Sequence, residues 1–251
     1  MNKILVSRSN IISSYDDVLI EGMKITFLNS GVYSLEYEDI SLIELEICVD
    51  NGAKVVLYES CFLDDIKVNN RYVIKEGYLQ VNKFYNNRIV DERIDIDLLN
   101  CGSEIDYRFS NICKDKEDYT ININHNNKKT VSNINNKSIA LDKAKLNFVI
   151  NSSVLKEDEN SVLNQNTRIV TIGDAYAKIS PNMFIDCDMV DARHGSVIGT
   201  FKDDIVFYLM SRGIEYNECI KLLVKGYLFS NVSVDSNLRE KILNAIEMYW
   251  R

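Results

Sequence analysis

From about residue 18 to residue 200 the sequence keeps a period of two, and no convincing amphipathic helix interrupts it. Ile94-Asp95-Ile96-Asp97, Ile121-Asn122-Ile123-Asn124 and Ala175-Tyr176-Ala177-Lys178-Ile179 alternate apolar and polar side chains. Each piece therefore turns one face to a core and one to water. Val55-Val56-Leu57-Tyr58 and Leu42-Ile43-Glu44-Leu45 add residue types that favour strands. Strand-sized pieces recur about every 8 to 14 residues, parted by polar turns such as Asp50-Asn51-Gly52 and Asn69-Asn70-Arg71. Such a chain is mainly β, and a sandwich, a barrel and a solenoid all satisfy the pattern. Two features favour the solenoid. Hairpin signals of the Asn-Gly and Asp-Gly kind are nearly absent, whereas asparagines crowd the turns, seven of them between Asn122 and Asn136. Stacked coils also suit the residue budget, because each buries its inward row against the next.

The period changes after residue 200. Asp203-Asp204 can cap a short helix, Ile205 to Ser211, that ends at Arg212-Gly213. A second helix is expected from Tyr216 to Phe229, with Cys219, Leu222, Leu223, Gly226 and Tyr227 at helical spacing on one face. Asp235-Ser236 offers an N-cap for a third, with Leu238, Ile242, Ile246 and Tyr249 along one side. The expected organisation is a solenoid core over residues 1–200 and a small helical domain over 201–251.

Composition narrows the function classes. With 29 Lys+Arg against 37 Asp+Glu, the chain carries a net charge of −8. It lacks the clustered cations of a general nucleic-acid binder. No apolar run approaches the ~20 residues that cross a bilayer, and the first residues do not resemble a signal peptide, so a cytoplasmic, non-membrane protein is expected. The six cysteines contain no CxxC pair, and only His125 and His194 are histidines. That excludes the strong zinc, ferredoxin and thioredoxin-like signatures and leaves most of the thiols as core filler. Asp186, Asp188 and Asp191 resemble a general acid/base cluster, but the even spacing, Asp191 aside, is that of a solvated strand face, and Cys187, between Ile185 and Met189, reads as an inward residue.

One stretch is distinctive: Asp191-Ala192-Arg193-His194-Gly195-Ser196-Val197-Ile198-Gly199, followed by Phe207-Tyr208-Leu209-Met210-Ser211-Arg212-Gly213-Ile214. It resembles the C-terminal signature of the SufB/SufD family of iron–sulfur cluster assembly proteins, in which an A-x-H-G-[AS]-x-x-G element precedes FYLxSRGI. His125 with Thr130 and Ser132 is similar to the family's H-x(4)-T-x-S element. Asn164-Gln165-Asn166 and Pro181-Asn182 stand at its Q-x-N and P-N positions, and the stretch from Cys48 to Glu59 is weakly similar. The resemblance covers roughly residues 40 to 230 and is closer to SufD than to SufB.

That resemblance implies a right-handed parallel β-helix with a C-terminal helical domain, and a non-catalytic scaffold. It implies pairing, as a dimer through the β-helix, with a SufB-like or identical subunit. It also implies docking of a SufC-like ABC ATPase on the helical domain, through Phe207, Tyr208, Arg212, Gly213, Leu222, Leu223 and Tyr227. No cofactor is expected to be tightly bound; a transient iron–sulfur cluster would be the cargo, with His194 the candidate ligand near the subunit interface. Neutral imidazole suits iron, and a Gly-flanked turn would free the ring to reach a neighbour. Two thiols of the family are missing: Tyr176 stands in Gly173-Asp174-Ala175-Tyr176 where SufB members carry cysteine, and Ala192 where many SufD members do. A cysteine-bearing partner is therefore expected, and whether a flavin binds stays open. Two other classes remain. One is a solenoid carbohydrate-active enzyme working through Asp186 and Asp188; the other is a purely structural homo-oligomer.

Overall fold

The computed structural model describes residues 3–8 and 10–250. Near the N-terminus two short hairpins form, from β1 (Ile4–Ser7) with β2 (Asn10–Ser13) and β3 (Val18–Glu21) with β4 (Lys24–Phe27). The following strands are β5 (Gly31–Tyr37), β6 (Leu42–Ile43), β7 (Glu46–Val49), β8 (Ala53–Cys61), β9 (Asp65–Ile74), β10 (Gly77–Tyr85) and β11 (Ile89–Leu98). Then come β12 (Glu104–Cys113), β13 (Lys116–His125), β14 (Val131–Asp142), β15 (Lys145–Val154), β16 (Ser161–Gly173), β17 (Tyr176–Ile185) and β18 (Val190–Gly199). Three helices close the chain: α1 (Asp203–Ser211), α2 (Tyr216–Phe229) and α3 (Ser236–Tyr249).

From β7 onward successive strands fall alternately into two sheets. One sheet runs β18-β16-β14-β12-β10-β8-β5-β1-β2, and the other β17-β15-β13-β11-β9-β7-β4-β3, with β6 beside β9. All ladders between coils are parallel. This is a parallel β-solenoid of about seven turns, as the period-two pattern leads one to expect. The asparagines are not turn residues as the sequence suggests: Asn122 and Asn124 lie on β13, Asn133, Asn135 and Asn136 on β14, and Asn69-Asn70-Arg71 on β9, leaving Asn126 and Asn127 between strands. The antiparallel hairpins cover its first coil, and they begin at Ile4, earlier than the alternation in the sequence suggests.

Inward side chains stack in register from coil to coil. Tyr72, Tyr85, Tyr107, Tyr119, Phe109 and Phe148 are all fully buried in the lumen. Tyr119 stacks on Phe148 at 4.8 Å between ring centroids, and Phe109 meets Tyr119 edge-on at 4.9 Å. The coil must tighten at Gly77, whose φ is +126° and where a Cβ would lie 2.2 Å from the Ala53 carbonyl oxygen; only glycine fits.

The helices pack on the outer face of the β18-containing sheet. Phe84, Ile112, Ile139, Leu141 and Val170 meet Ile220, Val224 and Leu228 of α2 and Leu238, Ile242 and Ile246 of α3. That sheet is thus apolar on both faces where the helices lie, which is why Ile139-Ala140-Leu141 and Ile169-Val170 break the alternation. Asn231 pins the join, its amide donating to the Phe109 carbonyl at 2.7 Å. Asp235 caps α3 as expected, accepting from the Leu238 N–H. At α1 the cap differs from the sequence reading. Lys202 is the N-cap, and Asp203 and Asp204 lie inside the first turn, where their charge suits the positive end of the helix. The face of α2 turned to the solenoid also differs: Ile220, Val224 and Leu228 are buried there, while Leu222 is exposed and Leu223 and Tyr227 are half-buried.

Candidate functional site: the open end of the solenoid

The last coil, β17 and β18, has no following coil, so its inward row faces out of the stack. One such row runs Val81, Tyr107, Ile134, Gln165, His194. Its first four members are buried, and His194 is exposed. A second row runs Glu59, Lys83, Phe109, Asn136, Thr167, Ser196, again buried until its final member.

The backbone is equally unfinished. Tyr176 and Asp186 donate their N–H groups back to the Ala144 and Val154 carbonyls. Parallel pairing sends alternate residues to opposite neighbours, so the odd residues of β17 and the even residues of β18 turn their N–H and C=O groups to the free edge. On β18 these are Val190, Ala192, His194, Ser196 and Ile198. On β17 the run is broken by Pro181, which has no N–H to offer there. Around this edge Tyr176, Phe184, Met189, Val197 and Ile198 expose apolar surface.

His194 therefore lies in the middle of a strand, not in a turn as its flanking glycine suggests, because β18 stays paired with β16 through Gly195 and Ser196. Its imidazole has no hydrogen-bond partner among the described residues. Neighbouring Gln165 donates to Ser152 Oγ at 2.7 Å and to the Asn182 carbonyl at 3.2 Å, and its own side-chain oxygen is buried without a partner. Among the described residues no group of three or more His, Cys, Asp and Glu side chains is placed to hold a metal ion. His194 alone supplies one donor.

Tyr176 is exposed at the start of β17, and Ala192 is half-buried opposite Leu163. Cys187 is half-buried in the link between β17 and β18, not an inward core residue as its alternation suggests, since the strand has already ended at Ile185. Asp186 and Asp188 are exposed, as read from the sequence, though in the link between β17 and β18 and not on a strand face, and Asp191, exposed on β18, is taken up by Arg193 at 2.9 Å. Of the remaining thiols, Cys48, Cys61, Cys113 and Cys219 are buried and Cys101 is exposed.

His125 is a different kind of histidine. It is buried with Nδ1 2.7 Å from Thr130 Oγ1 and Nε2 2.8 Å from Ser132 Oγ. The three residues that share a motif thus meet in space, and burial lowers the imidazole pKa to about 4. It is a neutral structural side chain.

On the helices, α1 has no buried residue at all. Phe207 is 75% exposed, and Tyr208 stands out beneath the Arg212 guanidinium, 5.2 Å from its ring. Gly213 turns the chain with φ +86° toward α2. A nine-residue helix with nothing buried is marginal alone. Tyr227 is different: its hydroxyl donates to the Arg168 carbonyl at 2.6 Å, clamping α2 to β16.

Sequence reasoning missed a charged cluster in the lumen. Lys83 Nζ lies 2.5 Å from Glu92 and 3.1 Å from Glu59, all three buried. The hydroxyls of Tyr37, Tyr72 and Tyr85 donate to Glu59 at 3.0, 2.5 and 3.2 Å. Burial disfavours the ammonium, yet the two carboxylates outweigh it and raise the Lys83 pKa. Burial raises Glu92 and pushes Glu117, held by Asn111 and Tyr119, up to about 7. The signal was present in Leu79, Val81, Lys83 and Tyr85, where a lysine occupies an inward position of an alternating strand.

A family model described as the SUF system FeS cluster assembly, SufBD core domain, matches residues 21–227, which takes in the solenoid from β4 to β18, α1 and most of α2. The chain belongs to the SufBD family. A Mycobacterium leprae protein named as an iron–sulfur cluster assembly SufBD family protein is 37% identical over 86 residues, 33% of this chain and 22% of that protein. The iron–sulfur cluster assembly protein SufD of Bacillus subtilis is 27% identical over 112 residues, 38% of this chain and 26% of that one. The chain thus spans only about a quarter or less of the length of these curated relatives. The SufBD match gives the two-sheet stack its setting, and it ends in the helices that lie against the stack. No helix among the described residues is long and apolar enough to cross a membrane.

Proposed function

We propose that this chain is a non-catalytic scaffold subunit of a SUF-type iron–sulfur cluster assembly complex in the cytoplasm. In this reading the open end of the solenoid pairs with a SufB-like or identical subunit, and the helical domain docks a SufC-like ABC ATPase. The observation that carries it is the last coil: its inward side chains lie uncovered and its edge amides unpaired, amid Phe184, Val197 and Ile198. Exposed edges of this kind invite strand addition, and apolar rims supply the area such a contact buries.

His194 sits at the centre of that edge, where it can offer one imidazole to a cluster whose other ligands come from the partner. With Tyr176 and Ala192 at the positions of the family thiols, the sulfur donors are assigned to the partner. Phe207, Tyr208 and Arg212 on or beside α1 form the ATPase contact, joined by Gly213 at the turn and by Leu222 and Leu223 on α2. Tyr227, committed to the α2–β16 clamp, supports that surface from behind.

Co-purification tests the docking. Wild-type protein is expected to retain the ATPase, and the Tyr208→Ala/Arg212→Ala double variant to lose it while keeping its thermal unfolding midpoint, since both side chains are exposed. Retention of the ATPase by the double variant contradicts the assignment.

A further inference from the structure

Where β16 and β18 meet the helices there is a cleft of about 360 Å³, lined among others by Arg168, Val197, Phe201, Lys202, Ile205 and Tyr227. Its walls are apolar: Phe201 meets Tyr227 edge-on at 6.2 Å between centroids, and Val197 and Ile205 close the sides. Its charged lining residues, Arg168 and Lys202, are both cationic. Arg71, Arg93, Arg108 and Arg193, the other strand arginines, each have a carboxylate within salt-bridge distance. Arg168 has none among the described residues, and neither has Lys202.

A third cation adds to the imbalance. Lys137 stands in register beside Arg168 on the neighbouring strand, and like charges so placed repel. Its ammonium finds only the Ser230 hydroxyl, at 2.7 Å, and the face of the Tyr227 ring, 5.5 Å from the centroid. Burial, and then Arg168, lower its pKa. In a chain of net charge −8, Arg168, Lys137 and Lys202 each lack a carboxylate within salt-bridge distance among the described residues, with Asp203 and Asp204 following Lys202 at the start of α1. A concave, apolar-walled cavity of this size fits a small molecule better than an extended chain.

We propose that this cleft binds a small amphipathic anion, an aromatic or aliphatic body carrying a carboxylate or phosphate, with the body against Val197, Phe201 and Ile205 and the charge toward Arg168 and Lys202. The planar guanidinium can hold either acid group through paired hydrogen bonds. The site lies beside the β18 edge and at the root of α1, so its occupant would touch both the solenoid and the helical domain.

Isothermal titration of the full chain with 1-naphthyl phosphate, 1-naphthoate and inorganic phosphate tests this. The two naphthyl anions are expected to bind saturably at one site and inorganic phosphate at least tenfold more weakly. Arg168→Gln is expected to weaken the naphthyl anions about tenfold. Val197→Trp, which fills the cleft from an exposed position, is expected to abolish their binding. Circular dichroism checks that both variants keep the wild-type fold. Failure of both naphthyl anions to bind, equal binding of inorganic phosphate, or unchanged binding in both variants overturns the proposal. The Arg168→Gln outcome is read separately from subunit pairing and ATPase retention, because Arg168 belongs to neither proposed contact.

Discussion

Lys83 and Ser196 belong to one inward row of the solenoid, yet the first is sealed in the lumen and the second is exposed. The same contrast separates Tyr107 from His194 one row away. The last coil keeps the same parallel register as the middle ones, and what it lacks is a next coil. In the middle the surrounding coils make a charged residue sustainable, because two glutamates pair with Lys83 and tyrosine hydroxyls donate to Glu59. At the end the missing neighbour leaves polar donors, an imidazole and apolar side chains waiting on one face. The stack is stable where it is closed and available where it is open.

The contrast is broken most severely at Lys83. Lys83→Ala leaves Glu59 and Glu92 buried without their cation and is expected to cost about 3–5 kcal/mol in urea unfolding. Ser196→Ala, at the exposed end of the same row, is expected to change stability by less than about 0.5 kcal/mol.

A second test uses pH. Glu117 has a folded pKa raised from 4.5 to about 7, so the folded state holds its proton more tightly. Its contribution is present below pH 4.5 and is lost as the pH rises to about 7. Glu117→Gln should therefore gain on the wild type over that window by on the order of 3 kcal/mol. Raised Glu92 acts in the same direction. His125 acts in the opposite one: its pKa falls from 6.5 to about 4, so its contribution is present above pH 6.5 and lost toward pH 4. His125→Gln should then lose least against the wild type at low pH. Unfolding midpoints between pH 4.5 and 7.5 check both slopes, and a pH-independent difference for Glu117→Gln contradicts the first.

The glycines sharpen the contrast on a smaller scale. Gly77→Ala forces a Cβ onto the Ala53 carbonyl at φ +126° and is expected to cost about 2–3 kcal/mol. At Gly195 the same Cβ meets only Asn166 Oδ1 at 3.7 Å, so Gly195→Ala is expected to unfold within about 0.5 kcal/mol of wild type.

Much of this was legible in the sequence. Alternation in Ile121-Asn122-Ile123-Asn124 declared the strand, and the scarcity of Asn-Gly and Asp-Gly hairpin signals favoured coils over hairpins. Asp235 marked the third helix correctly. The motif around His125 did join in space. Besides the Lys83 cluster and the α1 cap, three readings failed on the tertiary setting of the residues. Leu222 and Ile220 are equally apolar, and only the docked sheet decides which is buried. Glycine beside His194 suggested a turn, but pairing with β16 kept the backbone extended. Cys187 fitted an inward alternation that had ended two residues before it.

The central claim is that the last coil is open because a second subunit completes it. Hydrogen–deuterium exchange at the β18 amides of Ala192, His194 and Ser196 reads this directly, with the chain alone at low and high concentration and mixed with a SufB-like subunit. The account predicts rapid exchange in the dilute chain and marked slowing at these three amides at high concentration or in the mixture. Equal, rapid exchange under all conditions, with neighbouring β16 amides protected throughout, would contradict it.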